Sequence, residues 1–216
     1  MVDASMHSAA LPASHYRPLF DMITNDLVKQ GWSITPHFFN PGLTTALRDE
    51  LLQHAAAGEL RAARIGKGAQ QTLRSDIRSD TTLWLDGATQ PQRDYLELME
   101  LLRQHLNREL FLGLNDLETH FALYPPGSGY SKHLDSFRNN NLRRITVVSY
   151  LNQAWRPEDG GELLLFNDSG AVLERVLPEA GTLVCFVSAQ IPHEVAITRR
   201  QRASIAGWFR VRDNAI

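Results

Sequence analysis

Apolar residues recur at steps of three and four in the first half of the chain, then at steps of two beyond Gly113. The first spacing predicts helices and the second predicts strands. From Arg17 to Gln30, Leu19, Phe20, Ile23, Leu27 and Val28 mark one helical face, and Gly31 follows as a cap. Asn40 and Pro41 form an N-cap and first-turn pair for a second helix, whose face is Leu43, Leu47, Leu51 and Ala55 up to Gly58. A short strand, Trp32 to Thr35, separates the two. Tyr95, Met99, Leu102, Leu106 and Leu110 predict a third helix over Pro91 to Phe111, and a stripe of this kind is core.

After Gly113 the predicted strands are Thr119 to Tyr124, Tyr130 to Leu134, Arg144 to Leu151, Glu162 to Phe166, Ala171 to Val176, Thr182 to Val187 and Arg202 to Val211. Turn signals separate them, among them Pro125-Pro126-Gly127, Asp159-Gly160-Gly161 and Asp168-Ser169-Gly170. Helices followed by many short strands predict an α+β fold: an antiparallel sandwich or jelly roll, with the helices packed on one outer sheet face. Arg61 to Thr82 is polar and carries Arg61, Arg64, Lys67, Arg74 and Arg78, so it is expected to be a long mobile loop. Its Gly66-Lys67-Gly68 lacks the spacing of a phosphate cradle. A solvated basic loop is the default, and a lid over substrate is the alternative.

Composition narrows the function classes. At 216 residues, 43% hydrophobic and 21% charged, the chain fits one globular domain with a loose tail over 1–14. A net charge of −2 argues against coating nucleic acid or an anionic membrane. Cys185 is the lone cysteine, placed in an apolar strand, so no intrachain disulfide can form. The start of the chain has no basic, continuously apolar leader, and no run approaches the roughly 20 apolar residues of a membrane helix. A soluble, cytoplasmic protein is expected.

The chemistry concentrates in four positions. His133-Leu134-Asp135 is a His-x-Asp unit at the start of the strand-rich half, and two residues apart on a strand share a face. His193 stands far downstream, with Arg202 nine residues after it. Two imidazoles and a carboxylate can hold one face of a ferrous ion and leave the other positions open. Arg202 begins an apolar strand, and a guanidinium pointing inward there needs an anionic partner such as a dicarboxylic co-substrate. Alternation puts His120, Ala122 and Tyr124 on one face and Thr146, Val148 and Tyr150 on another, where a buried phenol needs a polar partner. Either tyrosine taken alone is equally an amphipathic core residue, and a lone histidine is more often a hydrogen-bonded structural residue than a ligand, which is the reading given to His7, His15, His37, His54 and His105.

These residues lie in motifs that resemble the Fe(II)- and 2-oxoglutarate-dependent dioxygenases, within them the prolyl hydroxylase branch related to the animal oxygen-sensing enzymes. The motifs are Tyr124-Pro-Pro-Gly-Ser-Gly-Tyr130-Ser-Lys-His133-Leu-Asp135, Tyr150-Leu-Asn-Gln-Ala-Trp155, Gly160-Gly-Glu-Leu-Leu, Pro192-His193-Glu-Val195 and Arg202 through Trp208. Asp76-Ile-Arg78-Ser-Asp80, ahead of Trp84, is similar to the segment before that branch's substrate-closing loop. The resemblance implies a double-stranded β-helix (jelly roll) over 113–216 supported by 15–112, all one dioxygenase domain. It implies iron on His133, Asp135 and His193, and 2-oxoglutarate on Arg202 and Tyr150 with Tyr124 and Thr146 lining its pocket. Arg78, Asp80 and Trp208 would lie near substrate.

The implied reaction takes O2 and 2-oxoglutarate to succinate and CO2 while hydroxylating a prolyl residue, at C4, of a partner protein, with ascorbate as a candidate reductant. A translation component such as elongation factor Tu is a candidate partner. Two other readings stand beside it: an oxygenase acting on a nucleobase, suggested by Arg199, Arg200, Arg202 and Arg210, and a non-catalytic cupin-like module with a closed metal site.

Overall fold

Three helices occupy the segments of helical spacing. In the computed structural model, which describes residues 13–63, 78–136 and 142–213, they are α1 (Ala13–Gln30), α2 (Pro41–Ala56) and α3 (Gln90–Leu110). Asn40 caps α2 as expected, its side chain accepting from the Leu43 N–H at 2.8 Å. Thr89 caps α3, and Phe111 ends it in a left-handed conformation, φ 54°. The helix at the start is longer than its pattern. Tyr16 is buried against Phe20 and Phe38, and that burial carries α1 back through Ala13, two residues into the expected tail, whose residues 1–12 lie outside the described ones. Pro18 then sits inside the helix, at the loss of the one backbone bond it cannot donate.

The strands form two antiparallel sheets. β1 (Trp32–Thr35), β2 (Arg61–Ala62), β3 (Thr81–Trp84), β4 (Asp116–Tyr124), β6 (Arg143–Tyr150), β9 (Leu183–Val187) and β11 (Arg202–Arg210) make the larger, in the order β1-β9-β6-β11-β4-β3-β2. The smaller is β5-β10-β7-β8, from β5 (Tyr130–His133), β7 (Leu163–Phe166), β8 (Val172–Val176) and β10 (His193–Val195). One expectation is corrected here. Arg61–Ala62 and Thr81–Trp84 are paired strands rather than loop, because their backbone extends the edge of the large sheet beyond β4. His193–Val195 is also a strand, too short to show alternation but paired on both sides. Arg64, Lys67, Arg74 and the Gly66-Lys67-Gly68 run lie outside the described residues.

Alternation along the large sheet divides the interior in two. One set of side chains, including Phe121, Leu123, Val147, Cys185, Ile205 and Phe209, packs against Tyr95, Met99, Leu102 and Leu106 of α3 and against α1 and α2. The opposite set, Ala122, Tyr124, Val148, Tyr150, Val184 and Phe186, packs between the sheets against Leu163, Leu165, Val176 and Val195. The jelly roll with helices on one outer face is therefore the observed α+β architecture. Its helix-backed layer is apolar. The space between the sheets carries the polar groups. Among the described residues no helix is long and apolar enough to cross a membrane.

Candidate active site

His133 ends β5, and His193 begins β10 directly opposite it in the antiparallel register. Asp135 follows two residues after His133, and one ligand atom from each of the three lies within 4.8 Å of the others. The His133 Nδ1–H faces the Ser131 carbonyl at 2.8 Å and the His193 Nδ1–H faces the Ile191 carbonyl at 3.1 Å. Each backbone acceptor selects the tautomer that leaves the Nε2 lone pair free. Those two Nε2 atoms approach the Asp135 carboxylate at 3.6 and 3.4 Å.

Electrostatics keep this donor set ready. Burial pushes the His193 imidazole down to about 4, against the opposing pull of Asp135, so it is neutral at pH 7. Burial would raise the Asp135 carboxyl, but the two imidazoles outweigh it and hold the group well below the usual carboxylate range. A neutral imidazole and an ionised carboxylate are the ligating forms.

Across the inter-sheet space stands Arg202, 1% exposed, on β11. Its Nε donates to the Gly161 carbonyl at 2.8 Å and its Nη1 to Ser204 Oγ at 3.2 Å, while Nη2 has no partner. Among the described residues no carboxylate lies within ion-pair distance of it. The guanidinium centre is 5.1 Å from the rings of both Tyr124 and Tyr150. Tyr150 Oη is likewise buried and unpartnered, and burial pushes that phenol up to about 12, so it stays a donor. A buried cation with one nitrogen unsatisfied and no carboxylate partner, beside a buried hydroxyl without an acceptor, is costly unless an anion completes them. Gly161 makes the close approach feasible: with φ +70° it runs where a Cβ would sit 3.1 Å from Arg202 Cδ. Asn152 then fixes the start of β11, its amide donating to the Pro178 and Ala203 carbonyls and accepting from the Ala203 N–H.

The other expected residues separate into two places. Thr146 stands at Asp135: its hydroxyl lies 2.9 Å from Asp135 Oδ2 and 2.8 Å from Ser188 Oγ. Arg78 and Asp80 form a two-point pair at 2.6 and 2.9 Å, and the Arg78 guanidinium covers the Tyr130 ring at 4.9 Å. Tyr130 stacks on His133 at 3.6 Å. Trp208 is buried with its indole close enough to Asp135 to help keep that carboxylate ionised, and Arg143 lies over its ring at 3.5 Å. Sequence reasoning missed Ser188, Tyr130 and Arg143 as site residues. His120 was placed on the Tyr124 face by alternation, yet its position between Trp84 and Trp208, with Nε2 3.3 Å from Arg78, comes from packing alone.

A solved prolyl-4-hydroxylase from Pseudomonas putida matches 90% of this chain and 100% of its own, at 42% identity and TM-score 0.82. This chain is a 2OG-Fe(II) oxygenase of the prolyl 4-hydroxylase family. The superfamily's model matches residues 119–210, which span Tyr124 through Trp208 and so all of the iron and co-substrate candidates. The Trichoplax adhaerens prolyl hydroxylase, solved with a peptide fragment of the hypoxia inducible factor oxygen degradation domain, is 26% identical, with TM-score 0.79 over 91% of each chain. The fold alone is shared more widely: the 2-oxoglutarate-dependent epimerase SnoN of nogalamycin biosynthesis matches at TM-score 0.62 and 14% identity, over 92% of this chain and 87% of its own.

As a prolyl hydroxylase-type dioxygenase the chain uses Fe(II), 2-oxoglutarate and O2. The residues present fit both groups. Two freed Nε2 atoms and one ionised carboxylate suit a ferrous ion with open positions, and the unpartnered Arg202 Nη2 and Tyr150 Oη are donors for a carboxylate.

Proposed function

We propose that this protein hydroxylates a prolyl residue, at C4, in a protein or peptide substrate. His133, Asp135 and His193 hold the iron, Arg202 and Tyr150 hold the far carboxylate of 2-oxoglutarate, and Tyr124 walls that pocket. Residues 15–216 act as one dioxygenase domain. The observation that carries the reading is the unpartnered Arg202 Nη2, on a guanidinium buried between the same two sheets as a three-ligand set. Iron bound there supplies oxygen activation coupled to the conversion of 2-oxoglutarate to succinate and CO2. The chain's own residues orient and enclose the site: Phe186 packs on the His193 ring at 4.6 Å, and Tyr124 and Tyr150 belong to the apolar cluster between the sheets.

Substrate class rests on the relatives. The peptide-bound Trichoplax enzyme supports a protein substrate, for which Tyr130, Trp208 and the Arg78–Asp80 pair are the nearest described contacts. A translation component such as elongation factor Tu is the first partner to test, on family resemblance. We place the protein in the cytoplasm, with its one cysteine reduced and ascorbate as a candidate reductant. The clustered Arg199, Arg200 and Arg202 lend little to a nucleobase substrate: Arg202 is buried, and Arg200 bonds Asp159 and the Gln153 and Ala154 carbonyls.

The test has two stages. Anaerobic protein with Fe(II) and 2-oxoglutarate should give a metal-to-ligand charge-transfer band, and aeration should release succinate; neither signal would sink the dioxygenase site. Mass spectrometry of a proline-scanned protein panel should then find a prolyl residue heavier by one oxygen atom. Hydroxylation found only on methylated oligonucleotides would replace the substrate assignment.

A further inference from the structure

We propose that Thr146 and Ser188 form a hydroxyl relay that holds Asp135 as a single-oxygen ligand and so keeps a coordination position of the iron open. The inference rests on the assignment of His133, Asp135 and His193 as the ligand set. Asp135 lies just past the end of β5, where no ladder bond of the small sheet orients it. Its direction must come from side chains. Thr146, on β6, and Ser188, directly after β9, are 2% and 0% exposed, and they meet Asp135 from the opposite sheet.

Proton counting gives the relay its sense. An ionised carboxylate only accepts, so the Thr146 hydroxyl donates to Asp135 Oδ2 across 2.9 Å. Having spent its one proton, Thr146 accepts from Ser188 across 2.8 Å. Ser188 is itself pinned, because its N–H donates to the Arg144 carbonyl at 3.0 Å beside the β6–β9 pairing. Three buried groups thus form one directed chain ending on one carboxylate oxygen.

The consequence is for coordination number. With a lone pair of Oδ2 committed to Thr146, Oδ1 is the oxygen left for the metal, and two-oxygen chelation by Asp135 is disfavoured. An iron held by two imidazoles and one oxygen would keep positions open for 2-oxoglutarate and O2. A carboxylate free to bind through both oxygens would close one of them.

Thr146→Val removes the hydroxyl and keeps the shape. Its Fe(II) affinity, measured by anaerobic chelator competition, should fall about 10- to 100-fold, and its charge-transfer band with 2-oxoglutarate should move in energy. Thr146→Ser should restore both, and Ser188→Ala should shift both by a smaller amount. A folded Thr146→Val with wild-type affinity and band, whatever its melting temperature, overturns the proposal. If Thr146→Val does not fold, Ser188→Ala decides on the same two readouts: a shift supports the relay, and wild-type values end it. A wild-type protein that binds no Fe(II) would instead overturn the ligand assignment itself, which separates the two failures.

Discussion

His133 and His193 are direct cross-strand partners on β5 and β10, with ring centroids 4.2 Å apart, although sixty positions separate them in the chain. The pairing does more than bring two imidazoles together. Each ring is turned by a bond from Nδ1–H to the carbonyl two residues before it, so both Nε2 atoms converge on Asp135. Removing either ring leaves the other without its convergent partner. His133→Ala should therefore lower Fe(II) affinity by more than the roughly 100-fold cost of a supporting residue, with little change in 2-oxoglutarate-independent folding. Anaerobic competition with a chelator measures the first and circular dichroism the second.

Arg202 makes the opposite prediction about stability. Its buried charge has no ionic partner among the described residues, so the ligand-free protein bears a cost that co-substrate relieves. Arg202→Met should weaken 2-oxoglutarate binding by roughly 2–5 kcal/mol, the range for a lost partner of a buried charge, while Fe(II) affinity stays near wild type. The ligand-free variant should melt no lower than wild type, and 2-oxoglutarate should no longer raise its melting temperature. Equal losses of iron and co-substrate binding would show that Arg202 supports the whole site.

Asn152 anchors Arg202 from below. Its side chain satisfies two carbonyls and one N–H, all buried, beside the first residues of β11. Asn152→Ala removes these bonds, leaving the Ala203 carbonyl only the Leu151 N–H, and should cost about 2–4 kcal/mol in urea unfolding, with a further loss of 2-oxoglutarate affinity as β11 shifts. A change below about 0.5 kcal/mol, the size typical of surface substitutions, would contradict the assignment.

His120 sets a pH limit. Burial, with Arg78 nearby, pushes its imidazole from the ordinary 6.5 down to about 3, so the fold favours the neutral ring. The sign follows: its contribution is fully present above pH 6.5 and is lost as pH falls from there toward 3, because the unfolded chain binds the proton first. The slope for one such group is about 1.4 kcal/mol per pH unit. His120→Gln should flatten the fall in stability between pH 6.5 and 4.5, read from denaturant midpoints. An unchanged slope would move the acid sensitivity elsewhere, His193 first.

Much of this was legible in residue order. The caps at Asn40 and Gly31, the Leu and Met stripe of α3 and the alternation of Phe121 with Ala122 are local consequences of backbone geometry, and they survive in the fold unchanged. The edge pieces were not legible. β2 and β3 lie at the ends of a polar, basic run that gives no strand period, and they exist because neighbouring strands offer them hydrogen bonds. Ser188 carried no signal at all, since a lone serine after a strand is ordinary until Thr146 is placed 2.8 Å from it.

Thr146 shows where the division falls. Alternation put it on the same face as Tyr150, which is correct, and from that face came its expected place against the co-substrate. Only the packing of one sheet on the other decided that its hydroxyl meets Asp135. The sequence by itself determined which residue types were present for iron and dicarboxylate chemistry, and on which face of which strand each would stand, because those properties depend on composition and period. Tertiary structure decided which of them touch: the register of β5 on β10, the unpaired end of Arg202 and the relay onto Asp135 each depend on contacts between strands far apart in the chain, for which local periodicity holds no information.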